Sequence, residues 1–221
     1  MFRLIVLLLL WSFGCWLAPV AAEPPRESAP VGESVTLETN LSAESSTLFS
    51  VPLDLGPLDV GSYLVQAGLS SKGVHAWDAQ AQGYVPLKNL RPGQGFLLAR
   101  GPGKVSFTGQ RVTADAVELF LNKGWNLIGV PYESGVPLAN LRIVLDGKSE
   151  SYLASVENKR AGVINALQDG RNTAVVTAET TVLEPWRGYW LYVYQPCQLS
   201  ILSPETASKG KVSKDKRSPR R

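Results

Sequence analysis

The pattern Leu-x-Pro-x-x-Gly-aromatic-x-Leu occurs twice in the chain. It reads Leu90-Arg91-Pro92-Gly93-Gln94-Gly95-Phe96-Leu97-Leu98, and again Leu183-Glu184-Pro185-Trp186-Arg187-Gly188-Tyr189-Trp190-Leu191. In each copy proline and glycine supply turn chemistry, and a strand-like apolar run follows. Upstream, Leu48-Phe49-Ser50-Val51-Pro52 matches Leu127-Ile128-Gly129-Val130-Pro131. Downstream, Val105-Ser106-Phe107 matches Leu199-Ser200-Ile201. The same signals in the same order point to a repeated unit. The first turn follows its proline by 40 residues (52 to 92) and the second by 54 (131 to 185). The extra length falls at 138–166, where helical spacing is loosely met by Glu150, Leu153, Ala154, Val156 and Glu157.

Two units of this size are small to stand alone, so they are expected to pack into one pseudo-symmetric domain. The expected fold is all-β and mainly antiparallel, sandwich- or barrel-like, with one short helical insertion. Unit one spans 47–112 and unit two 117–203. Low charge (19%) with 20 Gly and 15 Pro suits short strands and many turns. Residues 165–173 read as a loop, and 174–178 and 180–183 as strands.

Residues 1–22 have the form of a secretory signal: a basic n-region, an apolar run, and Val20-Ala21-Ala22 before a cleavage point. Residues 23–46 read as a flexible linker, within which the alternation at Ser34-Val35-Thr36-Leu37-Glu38 allows one short strand. The expected location is therefore outside the cytoplasm: periplasmic, at the cell surface or secreted. Cys15 leaves with the signal, and Cys197 then has no disulfide partner.

The run Gly124-Trp125-Asn126-Leu127-Ile128-Gly129-Val130-Pro131 resembles the Gly-Trp-Asn-Leu-Ile-x-x-Pro signature of a β-rich module found in exported, multi-domain bacterial and archaeal surface proteins. Leu183 to Leu191, with Pro196-Cys197, is similar to that module's second signature. The resemblance covers roughly 47–203. It implies an exported β module with no established activity. The first unit departs from the pattern, since its opening strand lacks Gly-Trp-Asn and its turn carries Gln94-Gly95-Phe96.

Catalytic chemistry finds little to use. A nucleophilic triad needs a base, and His75 is the single histidine. No convergent His/Cys set for zinc is present, and no Asp/Asn-dense calcium loop. Carboxylates such as Asp78, Glu118, Glu133, Asp146 and Glu184 lie in no motif that isolates a pair. No cofactor and no enzymatic activity are expected. The strongest ligand-site candidate is aromatic. On a strand, Trp190, Tyr192 and Tyr194 share one face, with Trp186 at the turn. Exposed, they are a stripe for sugar rings or a neighbouring domain. If the sheet is covered on both sides, they are core.

The C-terminal segment 204–221 is expected to be a disordered basic tail. Within 209–221, Lys209, Lys211, Lys214, Lys216, Arg217, Arg220 and Arg221 stand against one Asp, which suits anionic polymers or lipid head groups. The expected role is a non-enzymatic structural or interaction module of the envelope or extracellular space. The alternative is a carbohydrate-binding module using the aromatic stripe. Expected partners are envelope or extracellular proteins or polysaccharide, with no specific nucleic acid and no transmembrane span once the signal is removed.

Overall fold

A computed structural model describes residues 33–40, 46–56, 64–65, 67–69, 73–99, 103–168 and 171–205. The expected signal segment, most of the linker (23–32 and 41–45) and the chain beyond Glu205 lie outside the described residues.

Two four-stranded sheets lie at the centre. In the first half the order is β2 (Thr47–Ser50), β5 (Gly95–Leu98), β3 (Val74–Asp78), β4 (Gly83–Pro86). In the second it is β8 (Gly124–Gly129), β15 (Gly188–Val193), β12 (Asn165–Gln168), β13 (Arg171–Ala174). The registers correspond as well. Phe49 faces Phe96 and Ser50 faces Gly95, while Ile128 faces Tyr189 and Gly129 faces Gly188.

Each central sheet carries an outer sheet. Over the first lie β1 (Ser34–Asn40) and β6 (Lys104–Gln110). Over the second lie β7 (Ala116–Leu121), β16 (Cys197–Leu202), β10 (Leu141–Leu145) and β11 (Lys148–Ser151), in the order β11-β10-β16-β7. A short pair, β9 (Val136–Pro137) with β14 (Val182–Leu183), and one helix, α1 (Tyr152–Glu157), complete the second half. Pairing between these strands is antiparallel throughout. The fold is all-β and sandwich-like, and its sheets do not close into barrels.

Strand alternation sorts the side chains of the central sheets. Phe49, Phe96 and Leu98 point outward onto Val105 and Phe107, making the first core. Ile128, Tyr189, Leu191 and Val193 meet Leu121, Ile143, Leu199 and Ile201, making the second. The opposite faces meet each other. Leu48, Leu97 and Trp77 from the first half pack with Leu127, Trp190 and Leu167 from the second. These are corresponding positions: Leu48 matches Leu127, Leu97 matches Trp190, and Trp77 matches Leu167.

The halves are also tied through the backbone in a reciprocal way. Phe49 bridges Arg187, and the Ser50 amide donates to the Trp186 carbonyl at 3.3 Å. Ile128 bridges Gln94, and the Gly129 amide donates to the Gly93 carbonyl at 2.7 Å. The glycines of the two Pro-x-x-Gly turns permit this approach. A Cβ on Gly95 would stand 2.5 Å from the Ile128 oxygen, and one on Gly188 would stand 3.0 Å from the Phe49 nitrogen.

Four sequence expectations need correction. Residues 34–40 are not linker: β1 pairs with β6 over seven positions, and Val35 and Leu37 pack onto the first core. The region 138–166 is mostly not helical. It begins with a 3-10 turn (Leu138–Asn140) and then forms the β10–β11 hairpin, whose Asp146-Gly147 turn has φ of +50° and +73°. Such a turn matches the right-handed twist of the strands it joins. Within 138–166, α-helix is confined to the six residues of α1, capped by the Ser151 side chain accepting from the Ala154 amide at 3.2 Å. Where 165–173 is expected as a loop, Asn165–Gln168 and Arg171–Ala174 pair as the strands β12 and β13, and 175–178, expected as strand, is not strand.

Candidate functional site

Trp190 sits mid-strand on β15 and turns away from the second core. It is 8% exposed, because the face it occupies is covered by the other half of the molecule. Trp77 of β3 packs on it edge-on, at 4.8 Å and 85° between ring planes. Trp77 donates from Nε1 to the Trp125 carbonyl at 2.7 Å, a bond that crosses between the halves.

Around this pair, Trp190 buried and Trp77 half-buried, the rings continue outward. Trp77 faces Tyr84 across β3–β4, with rings 5.2 Å apart at 76°. Trp125 faces Tyr192 across β8–β15, at 5.3 Å and 78°. Trp125 also touches Trp190, at 6.2 Å, and Tyr192 meets Tyr194 at 5.1 Å and 70°. The result is one row, Tyr84–Trp77–Trp190–Trp125–Tyr192–Tyr194, crossing the seam between the halves. Edge-to-face contact is the favoured geometry for aromatic quadrupoles. Trp190 is buried and Trp77 half-buried, whereas Tyr84 (45%), Trp125 (37%) and Tyr194 (50%) are exposed.

The four residues singled out in the sequence therefore separate. Tyr192 and Tyr194 belong to the open part of the row, Tyr192 half-buried. Trp190 anchors the row and presents no free face. Trp186 is elsewhere: its half-buried ring lies over Phe49 and Phe107 at 5.7 and 5.8 Å, as a lid on the first core. The row takes in Trp77, Tyr84 and Trp125, which strand parity alone did not bring to it. A signal for the first two was available, since Trp77 and Tyr84 flank the hairpin turn and face each other in register. Trp125 was visible as the centre of Gly-Trp-Asn but not as a neighbour of Tyr192.

Asn126 explains the other half of that motif. Buried at 6% exposure, it closes the β7–β8 turn. Its Nδ2 donates to the Asn122 and Gly124 carbonyls at 2.8 and 3.1 Å, and its Oδ1 accepts from the Asn122 amide at 3.0 Å. That turn sets the position of Trp125.

Other sequence candidates play structural parts. His75 lies within β3 opposite Leu97 and Pro86. Asp78 Oδ1 accepts from the Gln80 and Ala81 amides and shapes the β3–β4 turn. Glu133 pairs with Arg111. Cys197 is buried opposite Leu121, and burial pushes its thiol up to about 11, so it stays protonated at neutral pH. Among the described residues no group of three or more His, Cys, Asp or Glu converges as a metal site, and no helix is long and apolar enough to cross a membrane. The tail residues Lys209 to Arg221 lie outside the described residues. No family model matches the chain, and neither curated proteins nor solved structures give a match.

Proposed function

We propose that the chain is an exported, non-enzymatic β module that holds a partner at the cell envelope or outside the cell through its aromatic row. The supporting observation is the row itself. Tyr84, Trp125 and Tyr194 stand open on either side of the Trp77–Trp190 contact, in which Trp190 is buried and Trp77 half-buried. Fixed aromatic rings give large contact area at small entropic cost, which is why such residues concentrate energy at protein interfaces. The signal-like segment 1–22 and the resemblance to modules of surface proteins support the location. The basic segment 209–221 supplies a second, electrostatic contact to anionic envelope polymers or lipid head groups.

The test is fractionation of tagged protein from its own cells. The exported material should begin at Glu23 and sediment with the envelope. The double variant Trp125→Ala, Tyr194→Ala should keep its circular dichroism spectrum and move to the soluble fraction. Equal retention of the folded variant would remove the aromatic row as the holding surface.

A second reading, carbohydrate binding, is favoured by the Trp125–Tyr192 cross-strand pair with Tyr194 beside it. The rings meet edge-to-face, so they form a corrugated surface rather than a flat sugar platform. Affinity electrophoresis through soluble polysaccharides separates the two readings. Retardation abolished by Trp125→Ala supports the sugar, and unaltered mobility in all of them argues for a protein partner.

A further inference from the structure

A groove runs along β7. One wall is β7 itself, the edge strand of its sheet, whose second edge pairs with no strand among the described residues. The facing wall comes from the other half. It includes Trp77 and Val85 of the β3–β4 hairpin, and β4 is likewise an edge strand. Phe120 stands on the lip, 71% exposed. An unpaired edge beside apolar side chains is the arrangement that accepts an added strand.

The chain's own course names an occupant. Ser203 donates its amide to the Asp115 carbonyl, so β16 ends beside the start of β7. Ala114 and Ala116, on either side of Asp115, line that end of the groove. Sixteen residues, 206–221, follow Glu205 in the sequence. At about 3.3 Å per extended residue they exceed twice the length of the six-residue β7. No proline occurs before Pro219, so amides of 206–218 can donate to an edge. Lys209 and Lys211 are two apart, as are Lys214 and Lys216, so strand pairing sets each pair on one face.

Charge agrees. Asp54, Asp78 and Glu118 line the groove. Of its basic residues, Lys88, Arg91 and Arg111, the last is engaged by Glu133 at 2.5 Å and Glu33 at 3.5 Å.

We propose that the groove along β7 is the docking site of the chain's own segment 206–218, added as an edge strand on β7. Docked there, the lysines of that segment are withheld from anionic surfaces. Groove and surface then compete for one segment, and the balance shifts with salt.

The test uses the full-length chain. Hydrogen exchange should show the outward-facing amides of 116–121 protected in low salt, and exchanging about tenfold faster in Glu118→Lys or in 1 M salt. A cross-link identifies the occupant. In a Cys197→Ala background, Phe120→Cys with Val212→Cys should oxidise to an intramolecular disulfide. A disulfide formed only between chains would assign the groove to a second copy and overturn the proposal. So would no disulfide together with exchange that neither salt nor Glu118→Lys alters.

Discussion

Ser50 and Gly129 occupy corresponding places in the two halves, and they meet. A Cβ built on Gly129 would overlap that of Ser50, inside any real contact distance. Ser50 Oγ donates to the Arg187 carbonyl at 2.8 Å. The matching carbonyl, of Gln94, lies 3.2 Å from where a Gly129 Cβ would stand. One side chain fits at this contact, and it comes from the first half.

Gly129→Ser should therefore cost about 2–3 kcal/mol by overpacking, with backbone shifts at the seam. Ser50→Gly should cost about 1 kcal/mol, for the lost hydrogen bond and the freer backbone. The two together should recover much of the loss, because the introduced serine then has both the vacated space and the Gln94 carbonyl. Urea unfolding of the four proteins closes this cycle. Additive losses would show that the halves are not interchangeable at this contact.

Trp186 has φ of +66°, where the corresponding Gly93 has +80°. A non-glycine residue there costs about 1–2 kcal/mol, and contact of the ring with Phe49 and Phe107 offsets it. Removing the ring should cost about 2 kcal/mol or more. The order of the variants is the sharper expectation. Trp186→Gly should be more stable than Trp186→Ala by about 1 kcal/mol, since only glycine is free of the strain. Alanine equal to or above glycine in thermal melts would refute this account of the turn.

These contacts show which parts of the fold were legible in the sequence. Pro92-Gly93 and Pro185-Trp186 announce turns, and the strands after them alternate, so the two units and the β class follow from local chemistry. The burial of Trp190 does not. Its face is decided by Leu48, Leu97 and Trp77, residues from the other half, which no local pattern brings to it. β1 was legible only in part: the alternation at Ser34–Glu38 allows one short strand, but its extension to Asn40 and its place in the fold come from pairing with β6. The β10–β11 hairpin is written in local chemistry, since Asp146-Gly147 is a hairpin signal lying between β-branched and polar runs. At the site, Tyr192 and Tyr194 were legible from strand parity. Trp77, Tyr84 and Trp125 join them only through the seam.

Asn126 should be hard to replace. Asn126→Ala leaves the Asn122 amide and two carbonyls of the β7–β8 turn without their partner. The expected cost is about 2–3 kcal/mol, a drop of roughly 5 °C or more in Tm. Asn126→Asp keeps the acceptor but sets a carboxylate against those carbonyls. It should be worse than alanine at neutral pH and should recover in part as the solution is acidified. A Tm for Asn126→Asp that does not depend on pH would contradict this geometry.

Alkaline stability follows from three buried acids. Burial pushes the Tyr132 and Tyr152 phenols from 10.0 up to about 12, and the Cys197 thiol from 9.0 up to about 11. Both phenols are built in as neutral groups. Tyr132 donates to the Ile201 and Ala114 carbonyls at 3.0 and 3.2 Å. Tyr152 donates to the Gly162 carbonyl and accepts from the Ile164 amide, each at 3.0 Å. In the folded chain these groups keep protons that the unfolded chain releases, so stability falls as pH rises. The contribution is intact below pH 9. The thiol's part is lost between pH 9 and 11, and the phenols' part between pH 10 and 12. Urea midpoints should hold level to pH 9 and then fall, and in Cys197→Ala the fall should begin nearer pH 10. Phenolate absorbance of Tyr132 and Tyr152 should appear together with unfolding rather than ahead of it. A midpoint that stays flat to pH 11, or phenolate forming in the intact fold at pH 10, would count against the burial of these groups as the cause.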